Sequence, residues 1–109
     1  KKIEFDNAAF GIIGLETLFG LLGKYLSDKL TLEEIIEKIS SNPRKIALKE
    51  ILKIEEGEKA NITLFDPELE WEFNKKDIKS KSINTPFIGE KLKGKALAIY
   101  NNDQFFIID

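Results

Sequence analysis

The segment Gly11–Leu26, GIIGLETLFGLLGKYL, constrains this chain more than any other. Ile12, Leu15, Leu18, Phe19, Leu22, Tyr25 and Leu26 recur at helical spacing, which predicts a helix over about 12–26. Ile13 and Leu21 lie off that stripe, so the helix is apolar almost all round and would be buried on several sides. Gly11, Gly14, Gly20 and Gly23 each weaken it by roughly 1 kcal/mol against alanine. Glycines kept in such a helix point to close packing against something. A chain of 109 residues offers little cover for it, so neighbours outside the chain are expected. The absence of methionine and the opening Lys1-Lys2 also suggest a fragment or excised domain.

The rest of the chain falls into two textures. Lys1–Phe10 reads as extended or loop. Thr31-Leu32-Glu33-Glu34 is a capping box, and Leu32, Ile35, Ile36 and Ile39 make one apolar face of a helix to about Ser40. Asn42-Pro43 reads as a second helix start, with Asn42 as N-cap and a short helix through Ile46 and Leu48. Ile54–Ala60 contains a turn. Asn61–Asp66 alternates as a strand ended by Asp66-Pro67, and Glu70–Phe73 reads as a second strand. Residues 75–90 form a long polar loop, of a length uncommon without a reason. Gly94–Tyr100 is a third strand, turned by Asn101-Asn102-Asp103 into Gln104–Ile108. The expectation is an α+β chain, helical over 1–55 and β over 56–109.

Composition excludes several classes of function. With 42% hydrophobic residues there is apolar surface enough for a core, against disorder. A net charge of -2 gives no draw toward nucleic acid. No apolar run is long enough to span a membrane, and nothing at the start reads as a signal peptide. The chain has no cysteine and no histidine, so neither a thiol nucleophile nor a histidine-built metal site can come from it alone.

What remains for chemistry is thin. Glu33-Glu34 and Glu55-Glu56 pair carboxylates, but a helix start and a turn are where solvated acids belong. Lys75-Lys76 through Lys81, with Ser80 and Ser82, could take a phosphate, yet a solvated loop explains them better. Trp71, Phe73, Phe105 and Phe106 could stack bases, but strand spacing favours core packing. Gly11-Ile12-Ile13-Gly14 is a weak phosphate-loop match, lacking the flanking strand and third glycine. The junction Ala8-Ala9-Phe10-Gly11 stands above these. A glycine between an extended segment and a helix exposes main-chain amides able to donate to an anion or a carbonyl.

Four stretches stand out in order along the chain: Phe10-Gly11-Ile12-Ile13-Gly14-Leu15-Glu16-Thr17, then Ser41-Asn42-Pro43-Arg44-Lys45-Ile46, then Leu64-Phe65-Asp66-Pro67 with Trp71. The last is Ser80-Lys81-Ser82-Ile83-Asn84-Thr85-Pro86-Phe87 with Gly89 and Leu92-Lys93-Gly94-Lys95. In that order and spacing they resemble the C-terminal quarter of dihydroorotase, an amidohydrolase. The resemblance implies the last helices of a (β/α)₈ barrel (about 1–55) followed by strands of a small β-sandwich subdomain (about 56–109). It implies a cytoplasmic parent enzyme of pyrimidine biosynthesis interconverting N-carbamoyl-L-aspartate and L-dihydroorotate. The family's metal, usually zinc, is held by ligands that would lie upstream of Lys1, so the fragment alone is expected to be inactive. Main-chain groups at Phe10 and Gly11 are implied to bind the substrate ring. The implied partners are the rest of the same barrel chain, a second copy in a homodimer, or aspartate transcarbamoylase, with no nucleic acid and no membrane. Some family members are catalytically inactive partners of that transcarbamoylase, an alternative reading of this chain. Two departures stand out: Asn61 replaces the usual aspartate of an Ala-Asp-Leu strand, and Ala47-Leu48 lacks the usual glycine.

Overall fold

The computed structural model describes residues 11–51 and 53–108. The segment expected to be extended, 1–10, lies outside the described residues. Three helical segments come first: α1 (Leu18–Leu26), α2 (Leu32–Ile36) and α3 (Asn42–Ile46), with a π-helical turn at Glu37–Ser41 joining the last two. The strands β1 (Ile62–Glu72), β2 (Lys91–Asn101) and β3 (Gln104–Ile107) follow, forming an antiparallel sheet in the order β1-β2-β3. The architecture is α+β, as the pattern implied.

Helix α1 lies against the central strand, and two of its glycines make that approach possible. A Cβ on Gly20 would stand 2.9 Å from Leu92 Cβ, and one on Gly23 would stand 2.0 Å from the carbonyl oxygen of Lys93. Gly94 answers from the strand side. Its φ of +95° is one that side chains resist, and a Cβ there would meet the Phe19 ring at 3.0 Å. The close packing inferred from the glycines is therefore real at Gly20 and Gly23. Among the described residues, nothing stands close to where a Cβ on Gly11 or Gly14 would be.

Three boundaries differ from the pattern, each for a local reason. First, α1 starts at Leu18, not near residue 12. The amides of Thr17 and Leu18 both donate to the Gly14 carbonyl, at 3.3 and 2.9 Å, and close the first turn there. Upstream, the Ile13 amide donates to the Asn84 carbonyl at 2.9 Å. A distant partner thus takes a donor that helical periodicity alone would have assigned to a turn.

Second, Asn42 is not an N-cap. Its φ and ψ of -67° and -45° are helical, and the chain runs from α2 into α3 without a break. The expected capping box at Thr31 is present: Glu34 donates its amide to Thr31 Oγ1, and Thr31 donates its own to the Glu34 carboxylate. Proline inside a helix lacks an amide and crowds the carbonyl four residues back. The wide turn just before Pro43, where Asn42 donates to the Glu37 carbonyl, accommodates it. The helix then ends in a Schellman motif, with Leu48 donating to Lys45 and Lys49 to Arg44. Leu48 sits at the left-handed position with φ of 51°, where glycine is the usual residue.

Third, Pro67 does not end a strand. β1 runs through it, because the register steps from Asp66↔Lys95 to Glu70↔Lys93. Pro67, Glu68 and Leu69 thus bulge out opposite Gly94. Asp66 Oδ1 accepts the amides of Glu68 and Leu69, at 2.9 and 3.2 Å. Proline is tolerated at a bulge on an edge strand, where its missing N–H breaks no ladder. The β2–β3 hairpin turns on Asn102 and Asp103, both with positive φ, as a two-residue type I′ turn requires.

The buried apolar side chains are Ile35, Phe73, Leu92 and Ala98. Phe65 meets Phe19 edge-on at 5.1 Å, and Trp71 meets Phe73 at 6.0 Å while donating its indole N–H to the Gly94 carbonyl. Core packing thus holds for Phe73 and for the half-buried Trp71. It fails for Phe105 and Phe106, which are exposed on the edge strand β3 together with Ile107.

Two substitutions test this account in opposite directions. Gly23→Ala is expected to destabilise the protein carrying this chain by about 3 kcal/mol, the upper end for overpacking, despite alanine's better helix propensity. Leu48→Gly is expected to stabilise it by about 1 kcal/mol, since the strain of a Cβ in a left-handed residue is relieved where no packing is lost. Leu48 is 93% exposed. Denaturant midpoints read both changes.

Candidate functional site

The site begins with the residues between Gly11 and the start of α1, which the loop before β2 holds in place. Asn84 contacts this segment twice. Its main-chain carbonyl accepts the Ile13 amide, and its side-chain amide donates to the Gly11 carbonyl. Two residues before the first turn of α1, Glu16 reaches across to the same loop. One oxygen of its carboxylate accepts the amides of Lys79 and Ser80, at 3.1 and 2.8 Å. Thr17 is almost fully buried behind them, and its hydroxyl donates to the Gly14 carbonyl at 3.3 Å.

The loop itself is stiffened by short local bonds. Ser82 donates its amide to Ser80 Oγ, Asn84 to Ser82 Oγ, and Phe87 to Thr85 Oγ1. At its start, Asn74 and Asp77 close a 3₁₀ turn, with the Asn74 amide on the Asp77 carboxylate at 2.7 Å. At its end, Gly89 donates to the Phe73 carbonyl and Phe73 to that of Glu90, extending the β1–β2 pairing into the loop. The length of residues 75–90 therefore has a structural reason: the loop spans from the end of β1 to the segment at Gly11 and back to β2.

Beside it stands an ion pair. The Lys24 ammonium and the Tyr25 hydroxyl both donate to Glu90 Oε1, joining the end of α1 to the residue before β2. The hydrogen bond from Lys24, then that from Tyr25, holds the Glu90 carboxyl below the ordinary carboxylate range. The hydrogen bond to Glu90 in turn raises Lys24 above its ordinary value.

Of the two residues expected to bind a ligand, Phe10 lies outside the described residues. Gly11 is exposed. It does not sit at a helix N-terminus, because α1 begins only at Leu18, so its amide is an ordinary loop donor. Two apolar clefts of about 550 and 520 Å³ lie on the molecule, one between the helices and β1, the other between α1, Trp71 and β3. Gly11 lines neither. Among the other candidates, Glu34 is used by the Thr31 cap, while Lys79 and Ser80 present their main chain to Glu16. Among the described residues, no three cysteine, histidine, aspartate or glutamate side chains lie close enough to hold a metal. No helix there is long and apolar enough to cross a membrane. The residues that pattern reading passed over are Glu16 and Asn84, whose partners lie more than sixty residues away in sequence.

No family model matches the chain. Curated relatives do. The chain is 51% identical to a dihydroorotase of Chlorobaculum tepidum, over 98% of its own length and 25% of the relative's. It is 46% identical to a dihydroorotase of Endomicrobium trichonymphae, over 89% of the chain and 24% of the relative. It is 44% identical to one of a Thermoanaerobacter species, over 86% and 22%. The chain thus spans about a quarter of the length of the curated relatives it matches.

The Glu90 cluster sets an acid-side test. A carboxyl held low when folded stabilises the fold above its unfolded pKa, and that contribution fades as pH falls through the folded value. Lys24 behaves in the opposite sense. Its share is present below its unfolded pKa and fades as pH rises through the raised folded value. Glu90→Gln is therefore expected to flatten the acid limb of a stability–pH curve, with a small effect near neutrality because the pair is about one-third exposed. An unchanged acid limb would contradict the assignment.

Proposed function

We propose that this chain, recognisably a segment of dihydroorotase by sequence, is the C-terminal part of a metal-dependent cyclic amidohydrolase. That enzyme interconverts N-carbamoyl-L-aspartate and L-dihydroorotate in the cytoplasm, in pyrimidine biosynthesis. The observation that carries the reading is 44–51% identity along nearly the whole chain to relatives of that name. In this reading residues 1–55 complete a (β/α)₈ barrel and residues 56–109 belong to a small β-sandwich subdomain.

The surface supports such a setting. Sixteen large apolar side chains are exposed among the described residues, against three buried ones, Ile35, Phe73 and Leu92. Ile12, Leu15 and Leu18 line one stretch, and Phe105, Phe106 and Ile107 another. Apolar surface on this scale calls for cover, and the rest of the parent chain is the cover proposed.

Among the described residues, no group of side chains fits zinc. The chain has no histidine and no cysteine, and its described carboxylates form no cluster. In the proposed parent the metal is held by other residues. The chain's own part is binding. Main-chain groups at Phe10 and Gly11 hold the substrate ring, and the loop segment after them walls the site.

The test is the full-length parent, assayed for ring opening of L-dihydroorotate and for ring closure of N-carbamoyl-L-aspartate, with metal content measured on the same sample. Turnover of both with bound zinc is the expected result. A folded parent without metal or turnover, binding aspartate transcarbamoylase instead, would overturn the enzyme reading for the inactive-partner one. The isolated chain is expected to turn over neither compound, to self-associate and to bind a hydrophobic dye. Sedimentation as a compact monomer without dye binding would contradict the proposed cover.

A further inference from the structure

We infer that Asn84 is a positioning residue for the substrate-binding main chain at Gly11, with Glu16 fixing the loop that carries it. The inference rests on the proposed reading that Gly11 contacts the substrate ring. Asn84 holds the segment from two sides at once. Its carboxamide N–H₂ takes the Gly11 carbonyl, and its own carbonyl takes the Ile13 amide. One acceptor and one donor of Gly11–Ile13 are thereby occupied. Among the described residues, the amides of Gly11 and Ile12 have no partner. Two consecutive main-chain donors of this kind suit an oxygen acceptor, such as a ring carbonyl or a carboxylate of the substrate.

The clamp matters because this segment has little else to hold it. Among the described residues nothing lies within 4 Å of where a Gly11 Cβ would be, and Ile12 and Leu15 are exposed. A glycine-containing loop so placed samples many main-chain directions unless hydrogen bonds select one. Glu16 supplies the counterpart. By accepting the amides of Lys79 and Ser80 it stops the Asn84 loop from sliding along the segment it grips. Orientation set in advance lowers the ordering cost of binding.

The experiment uses the full-length parent with Asn84→Ala and Asn84→Asp, the second keeping the size but losing the donor. The control is Lys76→Ala, at an exposed position of the same loop. KM and kcat are measured for both substrates, together with hydrogen exchange of the peptide containing Ile13. The expected result in both Asn84 variants is a KM raised about fivefold, the loss of roughly one hydrogen bond, with kcat little changed. Exchange at Ile13 should be faster, and the control should be unaltered. Faster exchange with an unchanged KM would overturn the inference, as would no change in either. A raised KM without faster exchange would also sink it, since the effect would not run through the Gly11 segment. If the unsubstituted parent turns over neither compound, the enzyme reading fails and this inference falls with it. An active parent whose Asn84 variants keep their KM removes the inference alone.

Discussion

The fold hangs on how closely α1 approaches β2. At Gly23 the helix backbone stands so near the Lys93 carbonyl that there is no room for a single methyl group. At Gly20 the Leu92 side chain fills the space, and on the strand Gly94 turns its open side to Phe19. Gly94 is also the residue opposite the Pro67 bulge, and its carbonyl receives the Trp71 indole. One small locus therefore joins a helix, the central strand and the irregular edge strand. Interiors pack at near-crystalline density, so a helix seated this tightly cannot shift without moving its neighbours. Its ends are placed by the same contact: Lys24 and Tyr25 meet Glu90 at one end, and Glu16, just before the helix, holds the loop at the other.

Much of this was legible from residue order. The apolar, glycine-rich helix, the Thr31 cap, the type I′ hairpin at Asn102 and the α+β succession all follow from local chemistry. Local chemistry decides those features because their partners lie within a few residues. Where the partner is distant, local pattern does not decide the structure. Residues 12–17 carry helical spacing, but Ile13 gives its amide to Asn84, and the helix waits until Leu18. Pro67 is a strand breaker by rule, and only its place on an edge, at a bulge capped by Asp66, lets β1 continue. Phe105 and Phe106 have the spacing of core residues and remain exposed, because spacing says which side chains share a face, not whether anything covers it.

The candidate site shows the same division. Gly11 was marked by its sequence setting, though for a helix terminus that forms elsewhere. Asn84 and Glu16 gave no signal as functional residues, since a single Asn in a Ser/Thr-rich loop and a lone Glu before an apolar run are ordinary surface residues. Their meaning comes from meeting across the fold. With no histidine or cysteine in the chain, its proposed contribution is the geometry of main-chain donors. Geometry of that kind is set by whatever holds the loop, more than by the loop's own residues.

The π-helical turn before Pro43 has an effect reaching past the proline it accommodates. One extra residue in a helical turn advances the side-chain phase by about 100°. Helix α3 is therefore rotated relative to α2 although the two share one continuous axis of hydrogen bonding. Ile35 is buried beneath α2, while Ile46, eleven positions on, is 84% exposed. In an unbroken α-helix, eleven residues make almost a whole number of turns and would put both isoleucines on one side. A single misfit thus lets one helix present apolar surface in two directions, one covered within the chain and one exposed. Removing one residue from Glu37–Ser41 would restore a regular helix yet leave the two isoleucines ten positions apart, still about 80° out of phase, so the outward face would survive the deletion.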